Sequence, residues 1–217
     1  MNRYWYIGLI LITLGFESSL WGTPFSVRKK NLESKIRILK EIDAAIGMSG
    51  EDTGPHPNPI EQLARKAAEI LQSPSGREKV RLLGLLEEDL HHLMIAYSDR
   101  MDSSAGDLLD AFSRDYFLKN EWKTMKDPGI KEKILRYYEM AKKEREQGKS
   151  YQRMNNPLLA LLSFKRSILY SFRSFHLTQT ELPASYNQAY ETWIKEDPPG
   201  FAKKFTAEES EMERNEN

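Results

Sequence analysis

The chain has 217 residues, no cysteine, 40% hydrophobic and 29% charged residues, and 32 basic side chains against 32 acidic ones. This length suits one domain or two small ones, and the composition is that of a soluble globular protein rather than a disordered or wholly membrane-embedded chain. The lack of cysteine excludes a disulfide framework, and the zero net charge gives no support to a nucleic-acid partner.

The N-terminal segment has the pattern of a targeting sequence. Arg3 precedes an aromatic and aliphatic stretch from Tyr4 to Phe16, and polar residues follow before Gly22. This stretch is shorter than the roughly 20 residues that span a bilayer. We therefore predict a cleaved signal peptide over residues 1–22 and no stable membrane span after cleavage, with an uncleaved anchor as the alternative. The protein is then expected to be exported, to the periplasm or cell envelope or beyond it as a secreted protein.

From Ser26 onward the apolar spacing is helical almost everywhere, so the predicted fold class is all-α. The first helix carries apolar residues at every third or fourth position and ends near Gly47. The glycines and prolines of residues 49–57 predict a loop. Asn58 can then cap a second helix whose first position is Pro59, and a later Ser-Pro-Ser-Gly run ends that helix.

A third helix is predicted from about Arg77 to Met101, because its leucines alternate three and four positions apart, as in a helix packed lengthwise on a neighbour. The short polar stretch 102–105 predicts a break. The next helix is marked by a group of large apolar residues: Leu108, Leu109, Phe112, Tyr116 and Phe117. The pair Asp127-Pro128 repeats the signal of a cap followed by proline, and so starts another long helix.

One segment has a spacing typical of a known helical repeat. From Gly148 the chain places Tyr151 three positions on, then Asn155, Ala160, Phe164 and Ser167 at further intervals of four, five, four and three. The glycine, alanine and serine are small where two helices must approach closely, and the two aromatic residues fill the space between them. Over residues 141–174 this pattern resembles a single degenerate tetratricopeptide repeat (TPR), a hairpin of about 34 residues. Three positions depart from the usual family pattern: Glu144, Gln147 and Phe172.

The resemblance implies a fold of antiparallel helical hairpins, TPR-like or bundle-like, that binds another protein in a groove around residues 137–195. The second helix of the hairpin is apolar around almost its whole circumference. We therefore expect it to be buried between its partner helix, the preceding bundle and a last helix over residues 183–195. The predicted organisation is a helical domain over residues 23–200 and an acidic, flexible tail over residues 201–217.

Residues 147–180 are locally basic, since they contain five lysine and arginine residues and neither aspartate nor glutamate. One interpretation is a docking surface for an acidic segment, either of a partner or of the chain's own tail. Its binding residues would be Tyr151, Arg153, Lys165 and Arg173. The other interpretation is that these charges are solvated helix edges.

Patterns for catalysis are largely missing from the sequence. It has no cysteine, no G-x-S-x-G and no phosphate-binding glycine motif, so we predict neither enzyme activity nor a cofactor. Glu88 and His91 have the E-x-x-H spacing of metal-binding helical bundles, but a dinuclear site needs a second copy. An envelope enzyme or metal-binding bundle that uses this pair is one alternative. A structural component of an extracytoplasmic assembly, such as a flagellar sheath, is another.

Overall fold

The computed structural model describes residues 25–46, 58–72, 76–119 and 121–195, and every regular element within these ranges is helical. This confirms the predicted all-α class. The predicted signal segment 1–22, the loop 49–57 and the tail 201–217 lie outside the described residues. The helices are α1 (Phe25–Ile46), α2 (Pro59–Gln72), α3 (Gly76–Ser113), a π-helical turn (Arg114–Leu118), α4 (Glu121–Thr124), α5 (Pro128–Arg153), α6 (Pro157–Thr178), a 3₁₀ turn (Ala184–Tyr186) and α7 (Asn187–Lys195).

Helices α1 and α3 run in the same direction and share one apolar core. The buried residues of α1 recur at helical spacing: Leu32, Ile36, Leu39, Ile42 and Ala45. Two polar bridges hold the pair in register. Arg28 donates to the carboxylate of Glu87 at 2.7 Å near one end, and the Tyr97 hydroxyl donates to Asp43 at 2.8 Å near the other.

Helix α2 packs on this pair through one apolar face, formed by Ile60, Leu63 and Ala67. Asn58 caps the N-terminus of this helix as predicted, because its side chain accepts a hydrogen bond from the backbone amide of Ile60 at 2.8 Å. The amide nitrogen of Asn58 also donates to Asp43 at 3.0 Å. One side chain therefore both caps α2 and ties it to α1.

The predicted break at residues 102–105 is wrong, because α3 continues without interruption from Gly76 to Ser113. Small residues that usually mark a turn instead form a helix contact here. Ser104, Ala105 and Gly106 are buried, and a β-carbon added at Gly106 would lie 2.6 Å from the guanidinium of Arg145 on α5. Arg145 in turn donates to Asp102 at 2.7 Å. Burial and this ion pair outweigh the weak helix propensity of the segment.

Helix α6 lies at the centre of the molecule and is buried on most of its circumference, as predicted. Its packing partners include Phe112 of α3, whose ring lies 5.4 Å from that of Phe175, and Trp193 of α7, whose ring lies 6.4 Å from that of Phe172. Four serines of α6 are also buried: Ser163, Ser167, Ser171 and Ser174. Each of these serine hydroxyls takes part in a hydrogen bond, so none of the four is buried without a polar partner.

The last predicted helix, over residues 183–195, begins later than expected. A 3₁₀ turn at Ala184–Tyr186 precedes the α-helix, which starts at Asn187. Burial raises the pKa of the Tyr186 phenol, which lies beside Ser104 and Asp107 of α3. These contacts fix the chain against α3 before α7 begins. None of the described helices combines the length and the apolar character needed to cross a membrane.

Candidate interaction site

The turn between α5 and α6 is tight and specified by its own residues. Asn155 has a φ of 54°, a left-handed conformation that asparagine tolerates better than most residues. The amides of Asn155 and Asn156 donate to the carbonyls of Gln152 and Tyr151, both at 2.9 Å. The Asn156 side chain then caps α6 by accepting from Leu159 N at 3.3 Å. The chain therefore reverses within three residues, 154–156.

Behind this turn the two helices touch at the small residues of the predicted repeat. A β-carbon added at Gly148 would lie 2.5 Å from Cε1 of Phe164, so only glycine fits against this ring. Nearer the other end of the pair, the Ser167 hydroxyl donates to the carbonyl of Ala141 at 2.7 Å. Ala160 is fully buried in the same core. The structure thus shows α5 and α6 in contact at Gly148, Phe164 and Ser167 of the spacing motif.

Helix α3 braces the turn from the side. The Nε2 atom of His91 lies 3.1 Å from the Asn155 side-chain oxygen. The Gln152 amide donates to Ser98 at 3.1 Å and to Asp99 at 2.9 Å. Three side chains of α3 therefore contact the C-terminal end of α5 and the turn that follows it: His91, and the adjacent Ser98 and Asp99 about two helical turns further on.

Exposed apolar side chains flank this braced turn. Met154 is 69% exposed and Leu159 is 38% exposed, on either side of the two asparagines. Arg153, one of the predicted binding residues, is also exposed and immediately precedes Met154. We call these three residues, Arg153, Met154 and Leu159, the turn surface. The surface combines one cation with two apolar groups on a fixed backbone.

The other predicted binding residues are engaged inside the molecule. The Tyr151 ring is half-buried against the core, and its hydroxyl accepts a hydrogen bond from Gln147 at 3.0 Å. Lys165 forms an ion pair with Glu41 of α1, and its ammonium lies 5.3 Å from the ring centre of Trp193. Arg173 is half-buried near the far end of α6. It lies about 24 Å along the helix axis from the turn, at 1.5 Å per residue.

The basic character of residues 147–180 is largely neutralised by acids from outside that range. Besides the Lys165 pair with Glu41, Arg166 donates to Glu144 at 2.9 Å and Lys149 lies 3.1 Å from Glu146. The four predicted binding residues thus do not line one continuous basic groove. Arg153 is the member that the structure places on an exposed surface beside apolar groups.

The E-x-x-H pair lies on the exposed side of α3, and His91 is used at the turn. Its Nε2 atom faces Asn155, so a metal at that nitrogen would have to displace this contact. In the part of the chain that the structure describes, no three histidine, aspartate or glutamate side chains gather in a manner suited to a metal ion.

A polar cleft of about 620 Å³ lies at the end of α6 opposite the turn surface. It is lined by Asp115, Tyr116, Lys119, Met125 and residues 178–181. Asp115 and Lys119 form an ion pair of 2.6 Å across one turn of the π-helical segment. Burial raises the pKa of the Tyr116 phenol.

Sequence reasoning missed Met154 and Leu159 as surface groups. Leu159 belongs to the helix that was predicted to be buried on all sides, whereas Met154 stands alone between Arg153 and Asn155 and received no prediction. The signal that could have identified both is their position beside the Asn-Asn-Pro turn, because side chains next to a tight surface turn face solvent more often than the core. Comparison of the chain with protein-family models, with curated proteins and with solved structures finds no match.

Proposed function

We propose that this protein is exported to the cell envelope, where it binds another protein through the turn surface as an interaction or scaffold protein. The observation that carries the proposal is the exposure of Met154 and Leu159 on a turn that hydrogen bonds hold rigidly. The TPR-like spacing around Gly148 and Phe164 supports the same class, since such helical repeats present surfaces to other proteins.

The energetics favour recognition at a surface of this kind. Burying an apolar side chain of this size against a partner contributes about 1.5–3 kcal/mol. A braced turn adds little ordering cost on binding, because its backbone is already fixed by contacts with α3. Two apolar side chains on a rigid support can therefore act as anchors.

Arg153 favours a partner segment that carries acidic residues next to apolar ones. An exposed ion pair contributes at most about 1 kcal/mol, so its main effect is on orientation and association rate. The partner chemistry that fits the turn surface is consequently an apolar segment flanked by aspartate or glutamate.

A substitution series tests this proposal through the affinity for a co-purified envelope protein. Met154→Asp should weaken the complex by about 2 kcal/mol, roughly thirtyfold, because a carboxylate replaces a buried apolar contact. The matched control is Leu135→Asp, since Leu135 is 44% exposed elsewhere on α5. Equal effects of the two substitutions on the dissociation constant would refute a role for the turn surface.

Export is tested separately by fractionation of cells that express the full chain. We expect the protein in the envelope fraction, with an N-terminus at Thr23 by mass spectrometry. Retention of residues 1–22 would favour an anchor, and recovery in the cytoplasm would contradict export. Size-exclusion chromatography over a range of concentrations distinguishes binding of a different protein from self-assembly into a filament or sheath.

A further inference from the structure

A shallow groove of about 290 Å³ runs between α1 and α2, away from the turn surface. Its apolar lining is formed by Ile36 and by three alanines, whose small side chains leave room for an occupant: Ala64, Ala67 and Ala68. Its charged lining comes from α1 and consists of Glu33, Arg37 and Lys40.

The rim of this groove carries positive charge. Arg37 and Lys40 are both exposed, and neither forms a hydrogen bond or an ion pair with another described residue. Glu33 is partly offset by Lys29, which lies 3.8 Å away. Lys30 adds a further exposed cation on the same helix. An acidic occupant would therefore gain attraction along the rim without breaking an existing described pair.

The direction of α7 brings the end of the described chain towards this rim. Near the start of α7, Gln188 donates to the carbonyl of Ala44 on α1 at 3.0 Å. Five residues further along α7, Trp193 lies beside the ammonium of Lys165, which pairs with Glu41 on α1. Helix α7 therefore proceeds from Ala44 towards the N-terminal half of α1. Arg37 and Lys40 come one helical turn earlier than Glu41 and Ala44. The twelve residues 196–207 that precede Glu208 can extend to about 40 Å, which exceeds the length of α1, about 33 Å for its 22 residues.

The sequence that follows has the chemistry to fill such a groove. Residues 208–217 contain five glutamates and one arginine. Phe201, Phe205 and Met212 precede or interrupt these acids and supply apolar side chains. Lys203 and Lys204 lie before the acidic run, so residues 201–217 carry five acidic and three basic side chains. This segment thus combines groups for the alanine floor with carboxylates for the cationic rim.

We infer that residues 201–217 of this same chain occupy the groove between α1 and α2, with their carboxylates beside Arg37 and Lys40. The short connection gives the segment a high effective concentration at the groove, so that modest contacts suffice to hold it. This inference is independent of the turn surface, which lies on other helices.

Disulfide trapping in the full chain tests the inference, because the protein has no cysteine of its own. The test pair is Ala68→Cys with Ser210→Cys. The control pair is Lys143→Cys, on the exposed face of α5, with Ser210→Cys. Under mild oxidation of a dilute sample, the test pair should form its intramolecular disulfide at least about tenfold faster than the control pair.

Charge reversal then identifies the force that holds the segment. Combining Arg37→Glu with Lys40→Glu should slow trapping about tenfold, and high salt should slow it as well. Reversing Glu208, Glu209 and Glu211 to lysine should have the same effect, and joining both sets of reversals should restore the rate. Equal rates for the test and control pairs, or no response to either reversal, would overturn the inference. Disulfide-linked dimers in place of the internal crosslink would assign the groove to a second copy instead.

Discussion

At Gly148 the backbone of α5 lies against the ring of Phe164, which is fully buried. Alanine would normally favour a helix over glycine by up to about 1 kcal/mol. Here the added carbon would come within 2.5 Å of the ring, so the ring or the helix must move. Whether alanine at position 148 raises or lowers the free energy of unfolding therefore depends on which of these two effects is larger.

We predict that Gly148→Ala lowers the free energy of unfolding by about 1–3 kcal/mol, because overpacking in a fixed core outweighs the gain in helix propensity. Gly84→Ala is the matched control, since Gly84 also lies within a helix but its added carbon meets only the tip of Arg28, at 3.9 Å. That control should be neutral or stabilising by up to about 1 kcal/mol. Denaturant unfolding measures both changes, and equal stabilities of the two variants would contradict close packing at Gly148.

The burial of the Tyr116 phenol can be tested through the pH dependence of the free energy of unfolding. Burial raises the pKa of its phenol above the ordinary value of 10.0, so the folded protein keeps the phenol neutral where the unfolded chain ionises it. This contribution to stability is complete below pH 10 and is lost as the pH rises from 10 through the raised folded value. The free energy of unfolding should therefore fall above pH 10, and Tyr116→Phe should make that fall shallower. An unchanged pH slope in the variant would show that the phenol is not protected by burial.

At the scale of helices, sequence patterns predicted the boundaries that local capping sets better than those that distant contacts set. Asn58 and Asp127 both cap the helices expected of them, because capping is a local interaction between a side chain and amides two or three residues away. The break expected at residues 102–105 failed for the opposite reason. The contact that keeps this stretch helical comes from Arg145, 43 residues away. Sequence spacing carries no information about such a partner.

The difference between local and long-range contacts also explains which features of the candidate site could be predicted from the sequence. The contact between Gly148 and Phe164 follows from spacing along one hairpin and could be anticipated. The pairing of Lys165 with Glu41 joins residues 124 positions apart. Local charge counting over residues 147–180 therefore described a basic surface that the folded chain neutralises.

The Asn58 cap gives a prediction for α2. Asn58→Asp preserves the acceptor for Ile60 N but loses the donation to Asp43 and places two carboxylates together. We expect a loss of about 1 kcal/mol in the free energy of unfolding at neutral pH, recovered as the pH falls and a carboxylate is protonated. Asp127→Asn, which keeps a cap acceptor at α5, should change stability by less. A stability of Asn58→Asp equal to that of the parent protein would indicate that the link to α1 contributes nothing.

At the scale of the whole molecule, Lys165 joins three helices, since it contacts Glu41 of α1 and Trp193 of α7 from its position on α6. The two charged side chains are 21% and 41% exposed, so solvent screens the pair only in part. A double-mutant cycle with Lys165→Met and Glu41→Gln should give a coupling energy of about 0.5–1 kcal/mol in unfolding experiments. A coupling near zero would mean that the ion pair does not help to hold α6 against α1.

Site-specific photocrosslinking tests the proposed recognition of another protein by the turn surface most directly. A photoreactive amino acid at position 154 reports what touches the turn in intact cells, and the same group at position 135 reports what touches an exposed site elsewhere on α5. We expect one discrete adduct from position 154, absent from position 135 and diminished when Arg153 is changed to glutamate. No adduct at position 154, or the same adducts from both positions, would contradict it.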